Sequence, residues 1–248
     1  MVSSRKQPPS ARRPVALITG ASGGLGPFVI DAFRGAGYRV SATGLSWDAP
    51  PRGADHVSDA DLSIERAAKD VVRQTEKAVG AIDCVLHLAG AFDGGVRVDD
   101  TSDAVWDEML KVNLRTAVNV IRATLPPMRE RRSGRIVVVG STAALHPVAT
   151  WSAFSASVAA LCAVVQAAGA ELRGSGVTIN AVLPTTIDTP AVRASISRAE
   201  ADRSVPPQSL ASLMLWLCSE AGAHMNGALL PVVGGQPHPC HHWHEHSD

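Results

Sequence analysis

The regular alternation of short apolar segments with helical patterns constrains this chain more than any other feature. Segments 15–19 (VALIT), 135–140 (RIVVVG) and 177–184 (VTINAVLP) are apolar along nearly their whole length, which is typical of parallel strands covered on both sides. Further strands are predicted at 38–43, 54–57, 82–90 and 228–233. Helices are predicted after the glycine-rich segment 19–26 and at 63–79, 102–130, 151–173 and 207–220, with a long irregular segment at 185–206. Because strands and helices alternate, we predict one α/β domain built on a doubly wound parallel sheet of about seven strands.

Composition and charge exclude several other classes of protein. The chain has 248 residues, 46% of them hydrophobic, which is enough for a full core and too apolar for a disordered chain. Its net charge of zero gives no long-range attraction to nucleic acid or to an anionic membrane, so we expect neither as a partner. We place the folded domain at 14–235, between a disordered basic arm at 1–13 and a flexible, histidine-rich tail at 236–248.

The cysteines and the tail bear on compartment and on metal binding. Cys84, Cys162 and Cys218 lie in apolar segments and form no C-x-x-C pair, which indicates buried, reduced thiols and a cytoplasmic protein. The tail ends in HPCHHWHEHSD, but no helix or hairpin pattern holds these side chains in a fixed geometry. We therefore predict no specific metal site, only adventitious affinity of the tail for zinc or nickel.

The glycine-rich segment lies where the first strand meets the first helix. Its sequence, TGASGGLG at 19–26, allows a tight turn and a close approach of the backbone to a ligand. The helix that follows offers free N–H groups and a partial positive charge to a pyrophosphate. This context predicts a Rossmann-type dinucleotide site.

From this motif onward the chain resembles the short-chain dehydrogenases/reductases, over about residues 14–235. The resemblance continues, in order, with an acidic-apolar pair, a turn that keeps the Ala-Gly half of N-N-A-G, an asparagine in KVNLRTA and a serine after RIVVVG. It implies an NAD(P)(H)-dependent oxidoreductase with catalytic residues at Asn113 and Ser141. The residues that it implies for cofactor binding are Thr19, Gly20, Ser22, Gly24, Leu25, Gly26, Asp61, Leu62, Ala89, Gly90, Pro184, Ile187 and Thr189.

The choice of dinucleotide depends on the end of the second strand. An acidic residue there would bind the ribose hydroxyls of NAD, and an arginine would accept the additional phosphate of NADP. This chain has Gly44-Leu45-Ser46, so neither charge is present. Since nothing at this position repels a phosphate, we favour NADP(H) over NAD(H).

The family's catalytic Tyr and Lys are both replaced in this chain. Counting thirteen residues on from Ser141 gives Phe154, and four further gives Val158, so AFSASV stands where the family has AYSASK. No other frame restores the pair, because Tyr38 is the only tyrosine and no lysine follows Lys111. Phenylalanine has no hydroxyl, and loss of general acid–base catalysis typically costs ~10²–10⁴ in rate.

Three hypotheses remain open from the sequence. The first is a nucleotide-binding or partner-binding protein with weak or absent carbonyl reductase activity. The second is an active oxidoreductase on a conjugated or quinonoid acceptor, with the proton taken from water, from the substrate or from His146. The third is a pseudo-subunit, since the resemblance implies a homodimer or homotetramer, here with the possibility of an active homologous subunit. The ligand is an unknown small molecule, and we expect His87 to hydrogen-bond the backbone.

Overall fold

The computed structural model describes residues 12–47 and 49–235. Most of the predicted arm at 1–13 and all of the predicted tail at 236–248, including Cys240, lie outside these ranges. Arg12 is described: its guanidinium donates to the carbonyl of Ala81 and to Asp83. Asp83 in turn accepts from the backbone N–H of Val15 at 2.7 Å. This contact holds the start of the first strand against the segment that leads into the fourth.

Seven strands form one parallel sheet, as the alternation of apolar segments predicts. They are β1 (Val15–Thr19), β2 (Arg39–Gly44), β3 (His56–Asp59), β4 (Cys84–His87), β5 (Gly134–Val139), β6 (Val177–Pro184) and β7 (Leu229–Val232). Their order is β3-β2-β1-β4-β5-β6-β7. The direction in which successive strands are added to the sheet therefore reverses between β1 and β4. β1 and β6 are buried along their whole length, which explains their continuous apolar sequence. β3 begins two residues later than the sequence predicts, because this edge strand is only half buried and its apolar signal is weak.

The helices match the predicted positions with two refinements. They are α1 (Gly26–Gly35), α2 (Glu65–Val79), α3 (Asp103–Leu110), α4 (Thr116–Arg131), α5 (Ser152–Glu171), α6 (Pro190–Arg193), α7 (Arg198–Ala201) and α8 (Pro207–Leu217). The predicted long helix at 102–130 is α3 and α4 joined by a π-helical turn at Lys111–Arg115. The segment predicted to be irregular, 185–206, contains the two single-turn helices α6 and α7.

The helices cover both faces of the sheet. One face packs against α1 and α8, and the other packs against α2, α4 and α5. Cys84, Cys162 and Cys218 are buried free thiols, as the sequence predicts. Burial raises the pKa of the Cys162 thiol to about 11, which keeps it protonated and unreactive near neutral pH.

Helix α5 is the most apolar of the long helices. Within the described ranges it alone is long and apolar enough to cross a membrane, with a mean hydropathy of 1.7. Half of that window is buried in the fold, where Leu161 and Val165 pack into the core beneath the sheet. The packing of a core helix accounts for this composition.

Two helical glycines give a matched test of the packing. A Cβ at Gly169 would lie 2.5 Å from the Cα of Gly227, whereas a Cβ at Gly35 would meet nothing within 4 Å. We expect Gly169→Ala to lower the free energy of unfolding by about 1–3 kcal/mol through overpacking. We expect Gly35→Ala to raise it by about 0.5 kcal/mol through the lower backbone entropy of the unfolded chain. Urea unfolding of both variants measures the two signs, and equal effects would contradict the packing assigned to α5.

Candidate active site

A cleft opens at the carboxyl edge of the sheet, where the turns that follow β1 and β4 lie side by side. Open α/β sheets bind ligands at such a switch point. Two adjoining cavities of about 280 and 360 Å³ share Gly20, Gly23, Leu88 and Gly90 in their walls. They therefore form one cleft that crosses the glycine-rich loop.

The glycine-rich loop owes its shape to close backbone contacts. Gly20 has a φ of +70°, and a Cβ there would overlap the backbone of Ala89. A Cβ at Gly24 would lie 2.9 Å from the Cβ of Thr189, which begins α6. The loop is thus in contact with the turn after β4 on one side and with the 185–206 segment on the other. These two segments are far apart in the sequence.

The same loop fits a dinucleotide pyrophosphate. In the described part of the chain, the backbone N–H groups of Ser22, Gly24 and Leu25 have no hydrogen-bond partner. They lie at the N-terminus of α1, whose first turn contains no acidic residue. Free N–H groups and the positive end of a helix are what a pyrophosphate requires, so the residues present fit this cofactor.

The far end of the cleft holds the predicted acidic-apolar pair. Asp61 accepts a hydrogen bond from the N–H of Ser63 at 2.9 Å, and the Ser63 bond lowers the pKa of the carboxyl. Asn119 donates from its amide to the carbonyls of Leu62 and Ser63, which fixes this turn. Asp61 and Leu62 line the cleft together with Ser22, Gly44 and Leu45. These are the positions expected for an adenosine.

His87 links the cofactor loop to the π-helical turn. In the β1–β4 pair it is the register partner of Thr19, and its Nδ1 lies 2.7 Å from Thr19 Oγ1. Its Nε2 lies 3.2 Å from Thr116 Oγ1, and the Thr116 hydroxyl donates its hydrogen bond to the carbonyl of Val112. Thr116 must then accept from Nε2–H, so Nδ1 accepts from Thr19. His87 therefore bonds two side-chain hydroxyls, and the expectation that it bonds the backbone is wrong.

Asn113 is buried in the π-helical turn and joins three segments. Its Nδ2 donates to the carbonyl of Ala91 at 3.0 Å and to Ser157 Oγ at 2.9 Å. Its Oδ1 accepts from the N–H of Ala91 at 2.8 Å. The hydroxyl of Ser157 in turn donates a hydrogen bond to the carbonyl of Phe154. The side chain of Asn113 thus holds the loop after β4 against α5.

The second half of the cleft contains Ser141, Phe154 and Val158 in one wall. Ser141 Oγ accepts from the N–H of Ala143 at 3.2 Å, which leaves its hydroxyl proton able to donate into the cleft. The Phe154 ring packs edge to face against Phe92, with centroids 5.1 Å apart, and Trp151 completes the aromatic cluster. Val158 is 3% exposed. An aromatic ring and an aliphatic side chain therefore fill the positions that the sequence assigns to the lost pair.

The first part of the segment 185–206 forms one wall of the cleft. Its two ends pair through hydrogen bonds from Asp188 to Val205 and from Val205 to Thr186. Pro184, Ile187 and Thr189 line the cleft, together with Thr185, whose hydroxyl is buried without a partner in the described residues. The predicted residues of this segment therefore face the glycine loop.

Three side chains that sequence reasoning weighed do not line the half of the cleft that contains Ser141. Tyr38 precedes β2 at the opposite, amino edge of the sheet, and burial raises the pKa of its hydroxyl. Lys111 pairs with Glu108 at the adenosine end. His146 does not line the cleft beside Ser141. None of them replaces the missing proton donor, and the hypothesis of a proton from His146 gains no support.

Asn113, Ser141, Phe154 and Val158 lie in one cleft with most of the predicted cofactor residues, but the buried Thr19 and Gly26 do not line it. Sequence reasoning missed the roles of Thr116, Ser157, Phe92 and Thr185. Ser157 accepts from Asn113, 44 residues earlier in the chain, and no local sequence pattern signals that contact.

Comparisons with known proteins agree with this geometry. A family model described as short chain dehydrogenase matches residues 14–200. Short chain dehydrogenase adrF of Penicillium rubens is 32% identical over 242 residues, which cover 88% of this chain and 94% of that protein. Asnovolin H dehydrogenase nvfC of Aspergillus novofumigatus is 28% identical over 245 residues, covering 88% of this chain and 95% of that one. A crystal structure of levodione reductase shares the fold, with a TM-score of 0.83 at 24% identity over 90% of this chain and 97% of that chain.

The buried histidine predicts a pH dependence of stability. Burial lowers the pKa of His87 from 6.5 to about 4. As the pH falls from 6.5, the unfolded chain binds a proton here before the folded protein does, so stability present above 6.5 is lost toward pH 4. The loss from this group is roughly 3 kcal/mol.

We expect His87→Asn to remove most of that loss, because asparagine does not titrate. Urea unfolding at about pH 7 and about pH 4.5 gives the slope for both proteins. An equal slope would show that His87 does not set it.

Proposed function

The chain belongs to the short-chain dehydrogenase family, and from that premise we propose that it binds NAD(P)(H) but reduces carbonyl groups weakly or not at all. The observation that carries the proposal is the wall of the cleft, where Phe154 and Val158 stand beside Ser141 with no ionisable group between them. A bound reduced nicotinamide supplies the hydride in this family's reaction. Efficient carbonyl reduction also needs a general acid at the substrate oxygen, and this wall has no side chain of suitable acidity.

Ser141 alone does not replace the missing acid. Its hydroxyl donates a hydrogen bond to a substrate oxygen, but an unassisted serine does not transfer its proton near neutral pH. The Asn113 amide is fully used by Ala91 and Ser157. Val158 also removes the cation that would bind the nicotinamide ribose, so retention of the cofactor depends on the glycine loop and on the 185–206 segment.

The apolar residues at 154 and 158 preserve the packing of the cleft wall. A lysine at 158 without its tyrosine would place an unpaired ammonium in a wall that is otherwise uncharged, which is costly. Valine fills the position without that penalty, and Phe154 retains the aromatic contacts with Phe92 and Trp151. We therefore expect a folded cleft that binds nucleotide.

Restoring the pair tests this proposal. We expect Phe154→Tyr with Val158→Lys to raise NADPH-dependent reduction across a panel of ketones by at least ~10²-fold, the usual contribution of a general acid. The matched control is Phe154→Tyr with Val158→Met, which supplies length without the ammonium and remains far less active.

Titration calorimetry with NADP⁺, NADPH, NAD⁺ and NADH on the unmodified protein tests binding separately. Robust carbonyl reduction by the unmodified protein, abolished by Ser141→Ala, would overturn the proposal that reductase activity is weak or absent. Absence of binding by all four nucleotides would overturn the proposal as a whole.

We also propose a preference for NADP(H) over NAD(H). At the end of β2, Gly44 packs against Ser22, where a Cβ would lie 2.7 Å from the serine hydroxyl, and the next residue, Leu45, is 71% exposed. Positions 44–46, which follow from the end of β2, contain no carboxylate that would repel a phosphate. The Ser22 hydroxyl, which also lines the cleft, is available to bind one.

Two substitutions at one position test the preference. We expect Leu45→Asp to weaken NADPH binding about tenfold or more by charge repulsion, and Leu45→Arg to strengthen it, with little change for NADH in the arginine variant. Calorimetric titration of both variants gives the two ratios. Tighter binding of NADH than of NADPH by the unmodified protein would contradict the preference.

A further inference from the structure

The half of the cleft next to Ser141 has an uncharged wall. Within the part of the chain that the structure describes, no Asp, Glu, Lys, Arg or His lines this cavity of about 360 Å³. In the segment 185–206, Arg193 and Asp188 neutralise each other, because Arg193 donates two hydrogen bonds to Asp188. A carboxylate or phosphate on a ligand would find no counter-charge here, and its desolvation would be uncompensated.

Three hydroxyls in this wall keep a proton to donate, those of Ser141, Thr185 and Thr189, and Thr189 Oγ1 accepts from the N–H of Val192. Ser141 keeps its proton after accepting from Ala143. Thr185 Oγ1 is buried and has no partner among the described residues. A buried hydroxyl without a partner is destabilising, so its position in this wall indicates a polar atom supplied by the molecule that fills the cleft.

The mouth of the cleft is apolar and includes an exposed aromatic ring. Phe92 is 56% exposed although its ring packs against Trp151 and Phe154. The loop that carries Phe92 is fixed, since the N–H of Gly95 donates to the carbonyl of Thr150. A held aromatic ring that remains in water is typical of a surface that an apolar ligand covers.

We infer that this half of the cleft binds an uncharged ligand with an extended apolar body and a carbonyl or hydroxyl oxygen directed at Ser141. The inference rests on the proposed function in that it assigns the ligand of the same cleft. Phe154 and Val158 contribute to it directly: the replacements that remove the proton donor also make the wall apolar. The ligand's body lies against Phe154 and Phe92, and the charge-free wall excludes keto acids and phosphorylated sugars.

Matched probes test the ligand class. We use 2-decalone as the uncharged bicyclic ketone and decahydronaphthalene-2-carboxylate as its charged counterpart with the same body. Titration calorimetry measures each dissociation constant with and without NADP⁺. We expect 2-decalone to bind at least about tenfold more tightly than the carboxylate, because the carboxylate loses its hydration without a partner. Equal or tighter binding of the carboxylate would overturn the inference.

Two substitutions in one loop locate the site. We expect Phe92→Ser to weaken 2-decalone binding about fivefold or more through lost apolar contact. Val98→Ser is the control, because Val98 is 63% exposed in the same loop but does not line the cleft. Equal effects of the two substitutions would place the ligand elsewhere and overturn the assignment.

The two proposals fail separately. If a nucleotide binds but neither bicyclic probe does, the ligand class is wrong and the proposed function stands. If 2-decalone binds with the expected selectivity and no nucleotide binds, the proposed function is wrong and the ligand class stands.

Discussion

The close approach of the turns that follow β1 and β4 is the constraint on which the rest of the site depends. Gly20 adopts a left-handed φ directly under Ala89, so no side chain fits between the two turns. Parallel pairing sets Thr19 beside His87, and the turns after these strands follow from that register. The cleft, the free N–H groups of the loop and the position of the 185–206 segment over Gly24 all depend on this contact.

Neutral hydrogen bonds hold this site together. His87 is uncharged at neutral pH and bonds Thr19 on one side and Thr116 on the other, so that the glycine loop and the π-helical turn are coupled without an ion pair. Such a link costs little to bury, because both ring nitrogens are satisfied. The wall around Phe154 is likewise uncharged. Recognition of a ligand in this cleft therefore depends on shape and hydrogen bonds and not on opposite charges.

The sequence predicts the elements well because buried parallel strands carry continuous apolar signals, as VALIT at 15–19 shows. It also predicts which residues the cleft gathers, since motif order follows strand order. It does not predict the half-buried edge strand β3 to the residue, nor the π-helical turn inside one continuous helical pattern. Contacts of high sequence separation are equally out of reach: the bond between Asn113 and Ser157 depends on how α5 packs, and no local pattern encodes it.

The residues of the family pattern that remain in this chain have structural roles that do not depend on proton transfer. Asn113 satisfies both backbone groups of Ala91 and bonds Ser157, so it is required to hold the loop after β4 whether or not a reaction occurs. Ser141 caps the short turn at Thr142–Ala144 by accepting from Ala143. The presence of Asn113 and Ser141 is therefore accounted for by the fold, and it carries no weight as an argument for catalysis.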